Sequence, residues 1–198
     1  MKCLRMGSLF FLVAAFLLGG STVLADTISV TNSNDGFGSS YTLTADCTGN
    51  LCNVTLQINA SKAAYTDISN VDFKIGTTDT LTGTGSLTAP TADWSTVSSS
   101  LSSGGCKGSN SDGQICSTAT GDFADTAGGM LTWTWTGVQV TGDLAIGHVG
   151  YKYDTSDTLG EGLIVSNDYP TNVTVPEPDT LGLLTIGILG LVVVRKLA

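Results

Sequence analysis

Side chains that alternate apolar and polar at every second position constrain this chain more than any other feature. In residues 53–59, Val54, Leu56 and Ile58 fall on one side of an extended strand, and Asn53, Thr55, Gln57 and Asn59 on the other. Residues 130–136 repeat the pattern, with Leu131, Trp133 and Trp135 sharing a face. Shorter runs do the same at 27–30, 41–44, 71–75, 149–153, 163–165 and 173–175. Period-two patterning in β-branched and aromatic residues is the strand signal. Gly, Asn, Asp and Ser separate the runs, as turns require. A helical period is not sustained anywhere in the domain; only residues 61–65 suggest a short helical turn. Eight or nine short strands in about 150 residues predict an all-β fold, an antiparallel β-sandwich of jelly-roll-like type. The stretch 89–128 is poor in apolar residues and rich in Ser, Gly and Asp, so it is expected to be a long loop region.

The two ends of the chain differ from this domain. Lys2 and Arg5 precede an apolar stretch at 9–18, and Val23-Leu24-Ala25 supplies small residues before Asp26. This is the layout of a secretory signal peptide, residues 1–25, with signal-peptidase cleavage expected between Ala25 and Asp26. Asp rather than Cys at 26 argues against a lipid-anchored product. At the other end, residues 172–179 form a linker containing Val175-Pro176-Glu177-Pro178, where the prolines hold the backbone extended. Residues 180–194 are apolar, and Arg195-Lys196 stops the run, so 180–198 reads as a hydrophobic helix with a basic tail. Fifteen residues at about 1.5 Å each span roughly 22 Å, short of the roughly 30 Å hydrocarbon core. Snorkelling of Arg195 and Lys196 extends the reach, and their charge puts the tail on the cytoplasmic side and the domain outside. A plain C-terminal anchor is the simpler alternative.

What lies between, residues 26–171, is one domain. Across 26–175, four lysines and no arginine face 15 acidic residues, a net of −11. Nucleic acid is excluded as a partner because nothing neutralises phosphates. Cys47, Cys52, Cys106 and Cys116 remain once the signal is removed. An even number of cysteines in an exported chain implies disulfides, with three connectivities open. Local pairing, Cys47–Cys52 and Cys106–Cys116, is expected because each pair brackets a short, turn-rich stretch. A zinc site needs closer pairs or more histidine than the single His148.

The order Val175-Pro176-Glu177-Pro178, short apolar helix and terminal basic cluster resembles the PEP-CTERM sorting signal of bacterial exosortase substrates. The resemblance covers about 23 residues. The pair Arg195-Lys196 is a minimal version of the family's basic cluster. The resemblance implies an exosortase-type membrane protease as partner, cleavage near 176–178, and a precursor held transiently in the inner membrane with its domain periplasmic. The mature form is then implied at the cell surface or in the extracellular, polysaccharide-bearing matrix of a biofilm. Residues 133–135, 147–149 and 162–166 are loosely similar to domains of other such proteins, which implies no activity.

Few residues suggest chemistry. His148 lacks an evident nucleophile and orienting carboxylate, so a histidine bonded locally within a strand is expected. Asp154, Asp157 and Glu161 cluster in a turn-like stretch, as do the oxygen donors of residues 32–36. Such donors suit Ca²⁺, although neither stretch has the spacing of a calcium loop, and solvated turn residues are the plainer account. No cofactor is expected. Trp133 and Trp135 are expected in the core, while Trp94, in the loop region, is the candidate platform for stacking on a glycan. The expectation is a non-enzymatic, exported structural or adhesive protein. A secreted carbohydrate-binding module is the alternative, and a secreted hydrolase built on paired carboxylates the distant one.

Overall fold

The computed structural model describes residues 25–60, 67–78, 83–108, 113–121, 123–125, 127, 129–154 and 164–169. The signal segment before residue 25, the helical turn expected at 61–65 and the linker and hydrophobic helix after 170 lie outside them. Eleven strands follow in order: β1(Ala25–Asn32), β2(Ser40–Thr48), β3(Leu51–Asn59), β4(Asp67–Lys74), β5(Ser86–Thr88), β6(Trp94–Ser98), β7(Ile115–Ala119), β8(Ala124–Asp125), β9(Met130–Gln139), β10(His148–Asp154) and β11(Ile164–Asp168). They form two antiparallel sheets. The first has the order β1-β2-β3-β9-β5, and the second β11-β10-β4-β7-β6, with β8 beside β4.

Local sequence explains the first sheet. β2 and β3 pair in unbroken register from Ser40↔Asn59 to Thr48↔Leu51. Gly49-Asn50 closes the hairpin, with Gly49 at φ 60° and Asn50 at negative φ. A glycine first in a two-residue turn is what a primed hairpin turn of the II′ kind requires. In that register Cys47 stands opposite Cys52, and the two are joined as a disulfide. The inward residues Leu43, Ala45, Val54, Leu56, Ile58, Trp133 and Trp135 are all completely buried. Their outward neighbours are threonines and amides. Thr44, Thr55, Thr134 and Thr88 stand in one row across four strands.

The second sheet supplies Ile68, Val71, Phe73, Ile115, Val149, Tyr151 and Tyr153 to the same core. Phe73 meets Trp135 edge-on across the sheets at 4.6 Å between ring centroids. Burying two tryptophans and a phenylalanine with the aliphatic side chains around them accounts for most of the driving force, at about 25 cal/mol per Å² of apolar surface.

The region 89–128 departs from expectation. It is not one long loop, because it contains β6, β7 and β8. β6 pairs with β7 from Trp94↔Ala119 to Ser98↔Ile115, and β7 continues onto β4. Its strands were masked by Ser and Thr at inward positions. Ser117 is completely buried, and its hydroxyl accepts the Trp135 indole N–H at 3.0 Å. A polar side chain satisfied in this way packs like an apolar one but erases the alternation.

Candidate functional site

β10 is buried along its whole length. Val149, Tyr151 and Tyr153 point into the sandwich, so His148, Gly150, Lys152 and Asp154 lie on the outer face of the second sheet. The neighbouring β4 adds Asp72 and Asn70 there, paired with Gly150 and Lys152 respectively. This polar face is covered by chain rather than by water. Residues 99–108 fold back over it, fastened by the Cys106–Cys116 disulfide to β7. The Leu101 amide donates to Asp72 Oδ2 at 3.0 Å. Ser102 and Gly105 exchange both backbone hydrogen bonds at 2.9 Å, making a tight turn. Gly105 has φ 91°, and a Cβ there would press to 3.2 Å from Asn70 Nδ2, so glycine lets the turn lie on the carboxamide.

Two side-chain groups occupy this covered face. In the first, His148 sits between two carboxylates. Its Nδ1 lies 2.7 Å from Asp168 Oδ1 and its Nε2 3.2 Å from Asp72 Oδ1. Burial alone lowers the histidine pKa, but Asp72 and then Asp168 outweigh it, and the net shift is upward from the ordinary value. With both ring nitrogens engaged by carboxylates, the imidazole is arranged to hold a proton rather than to take one from a nucleophile. Gly150 makes room for this contact. A Cβ there would collide with Asp72 Oδ1 and stand 2.9 Å from His148 Nε2.

In the second group, Lys152 Nζ lies 3.3 Å from Asp154 Oδ1, with both side chains essentially inaccessible. Ser69 bridges from Asp154 Oδ2 to Asn70 Oδ1, the latter at 2.9 Å. The pairing of β10 with β4 shifts between Lys152 and Tyr153. That irregularity leaves Ser69 as the extra residue and brings it onto the polar face beside Asn70.

A third polar group ties the chain end of the sandwich together. Asp35 Oδ1 accepts the backbone amides of Phe37 at 2.7 Å and Ser39 at 3.0 Å. Its Oδ2 accepts the hydroxyls of Tyr151 at 2.7 Å and Tyr153 at 3.1 Å. Burial first, then the adjacent Asp35, raises the Tyr151 pKa. Burial with the Asp35 charge pushes Tyr153 up to about 12.

The residues singled out in sequence fall as follows. Within residues 32–36, the Asn32 and Asn34 side-chain oxygens are taken by nearby backbone, and those of Asp35 by backbone amides and the two tyrosines. Asn32 Oδ1 accepts from the Asn34 amide at 2.9 Å, and Asn34 Oδ1 from Gly36 at 3.0 Å. These are Asx-turns. Asp154 is not a turn residue: it ends β10, buried, with a lysine beside it that opposes a cation. Its expected companions Asp157 and Glu161 lie outside the described residues. Trp94 begins β6 instead of standing in a loop. It is half-buried, edge-on to Trp133 at 5.4 Å, with its indole N–H donated to Thr91 at 2.9 Å. The ring is therefore partly committed to the core.

Sequence reasoning missed Ser69, Asn70, Asp72, Lys152 and Asp168, and it placed Asp35 among oxygen donors for an ion rather than as the acceptor of two tyrosines. The parity of residues 148–154 held part of the signal, because His148, Lys152 and Asp154 alternate with Val149, Tyr151 and Tyr153. Which carboxylates they meet depends on register between distant strands.

The fold defines the class, an all-β, disulfide-bearing sandwich, and the tail marks an exported protein that passes the membrane. Its particular route is given by the tail. Residues 174–196 match the PEP-CTERM protein-sorting motif, so this is a protein carrying an exosortase-type sorting signal. No curated protein sequence matches the chain. Among solved structures, one similar chain is the KRT10-binding region domain of the pneumococcal serine rich repeat protein PsrP. It is 12% identical, with 74% of this chain and 100% of that one covered, at a TM-score of 0.32. A likeness that distant carries no argument about what this chain binds.

Proposed function

We propose that this protein is a non-enzymatic structural or adhesive domain, handed to the cell surface or extracellular matrix by exosortase-type processing. In this reading signal peptidase removes residues 1–25, and residues 180–198 hold the precursor in the inner membrane with the domain in the periplasm. An exosortase-type membrane protease then cuts near Pro176-Glu177-Pro178. The observation that carries the reading is the sorting motif at 174–196. It follows β11, the last described strand, after a short linker.

The use of polar side chains supports a binding or structural role over a catalytic one. His148 has both ring nitrogens engaged by carboxylates, and Asp35 spends both oxygens on the fold. Exopolysaccharide suits the location as a partner, and the threonine-rich outer face of the first sheet is the surface that would meet it.

The test is the mass of the exported form in a host with and without the exosortase. Expected is a species that begins at Asp26 and lacks residues 181–198 when the enzyme is present. Replacing Pro176-Glu177-Pro178 by alanines is expected to trap a membrane-bound precursor. Unchanged release from that variant would refute the reading.

A further inference from the structure

Lys152 presents a physical problem. It is 1% exposed, with three N–H donors and, among the described residues, one ion-pair partner, Asp154 Oδ1, at 3.3 Å. That contact lacks hydrogen-bond geometry, and among the described residues Asp154 Oδ1 has no other partner although it is completely buried. A buried ion pair without good hydrogen bonds does not offset the desolvation of its two charges. Selection does not ordinarily place a lysine there for stability alone.

The neighbours of the pair suggest what it is for. Asn70, also completely buried, is the direct cross-strand partner of Lys152. Its carboxamide Oδ1 is held by Ser69, which also contacts Asp154 Oδ2. Lys152, Asp154, Ser69 and Asn70 therefore form a chain of contacts whose two ends stand opposite each other on adjacent strands. These contacts lie under a turn fastened by a disulfide. One proton count is informative. The Ser69 hydroxyl has a single hydrogen and faces two acceptor oxygens, Asn70 Oδ1 and a carboxylate oxygen of Asp154. With the Asn70 carboxamide in this orientation, its Nδ2 turned toward Cys106 Sγ, both contacts are satisfied together only if Asp154 carries a proton and donates to Ser69, which in turn donates to Asn70. The proton for Asp154 is available from Lys152.

We infer that Lys152 and Asn70 are joined by an intramolecular amide, with Asp154 as the proton carrier and Ser69 as the donor to the carbonyl. The ammonium passes one proton to Asp154 Oδ1, leaving a neutral amine. The lysine side chain is long enough to swing Nζ from Asp154 to Cγ of the residue opposite. Nζ attacks Cγ, and charge developing on Oδ1 is stabilised by the Ser69 hydroxyl. A second Nζ proton is transferred to Nδ2, the Cγ–Nδ2 bond breaks, and ammonia leaves. The Nζ–Cγ amide remains and Asp154 ends as the neutral acid. Bonds and protons balance, and no oxidant or external reactant is required. Holding the reacting groups in one water-excluded site supplies most of what such a reaction needs. The product replaces a buried ion pair by a neutral amide and ties β10 to β4 at the centre of the second sheet.

The test uses the exported, processed protein with its disulfides reduced and alkylated. Its intact mass is expected to be one ammonia below that of the unmodified chain. Trypsin is expected not to cut after Lys152, and to release a branched peptide that joins the segments containing residues 70 and 152. Asp154→Ala and, independently, Lys152→Met are expected to restore the ammonia and, in the first, cleavage after Lys152. An unmodified wild-type mass with cleavage after Lys152 overturns the inference. So does an ammonia deficit that maps to a cyclised asparagine without a branched peptide.

Discussion

Asp35 offers the most decisive test of how this sandwich is held. Its four hydrogen bonds join the loop after β1 to two tyrosines of β10, a strand more than a hundred residues away. Hydrogen bonds to a charged acceptor contribute about 1.5–3 kcal/mol each, and less when they share that acceptor. In Asp35→Ala the Tyr151 hydroxyl loses the acceptor at 2.7 Å, whereas Tyr153 keeps Ser39 Oγ at 2.7 Å. The two backbone donors are only part-buried and regain water. A loss of about 3–4 kcal/mol is expected, which in a domain of this size lowers Tm by roughly 10 °C. Asp35→Asn tests the geometry rather than the charge alone. Its oxygen can keep the amides of Phe37 and Ser39, and its NH₂ can donate to the two phenol oxygens. The expected cost is about 1 kcal/mol. Urea denaturation of both variants gives the comparison, and a cycle with Tyr151→Phe isolates the tyrosine contact. Coupling between Asp35→Ala and Tyr151→Phe of about 1–2 kcal/mol is expected. Equal stability of the Ala and Asn variants, or zero coupling, would refute the account.

His148 has a folded pKa above its unfolded value of about 6.5, so its contribution is fully present below that pH and is lost as pH rises through the folded value. Urea stability followed across this window is expected to decline in the wild type, with that component missing in His148→Gln. For Tyr153 the same sign applies at alkaline pH: the stability it contributes is lost between about 10 and the folded value of about 12, read by absorbance at the phenolate band alongside circular dichroism. Gly150→Ala places a methyl against Asp72 Oδ1 and His148 Nε2, and is expected to cost about 1–3 kcal/mol and to flatten the histidine-linked pH dependence. Removing Cys47–Cys52, whose partners are five residues apart, is expected to cost about 2 kcal/mol. Removing Cys106–Cys116, ten apart, should cost about 3 kcal/mol, and more because it also frees the turn over Asn70 and Asp72.

What could be read from the sequence depended on the range over which the physics acts. Alternation is local, so the strands carrying Val54, Leu56, Ile58, Trp133 and Trp135 were legible, and with them the all-β class. Hairpin pairing is nearly as local. Gly49-Asn50 sets Cys47 opposite Cys52, and turn-rich spacing alone suggested that pair. β6 and β7 were illegible for a different reason. Their inward positions include Thr96 and Ser117, whose burial is made tolerable by partners such as the Trp135 indole, and a sequence does not display a partner.

The polar face of the second sheet lies at the far end of this scale. Asp72 and His148 are 76 residues apart, and Ser69 and Asp154 are 85 apart. Each looks like an ordinary surface residue in its own stretch of chain. They are brought together by three separate conditions: the register of β4 against β10, a bulge that turns Ser69 outward, and a disulfide-fastened turn that excludes water above them. The second and third conditions are costly in a sheet that needs only one apolar face. Solvent could have covered the outer side of β10 as it covers the outer side of β3. The chain instead seals a lysine, a histidine and three carboxamide or carboxylate groups beneath its own backbone. The arrangement makes physical sense if those groups hold the sheet together through bonds stronger than solvation would allow, which suits an exported domain.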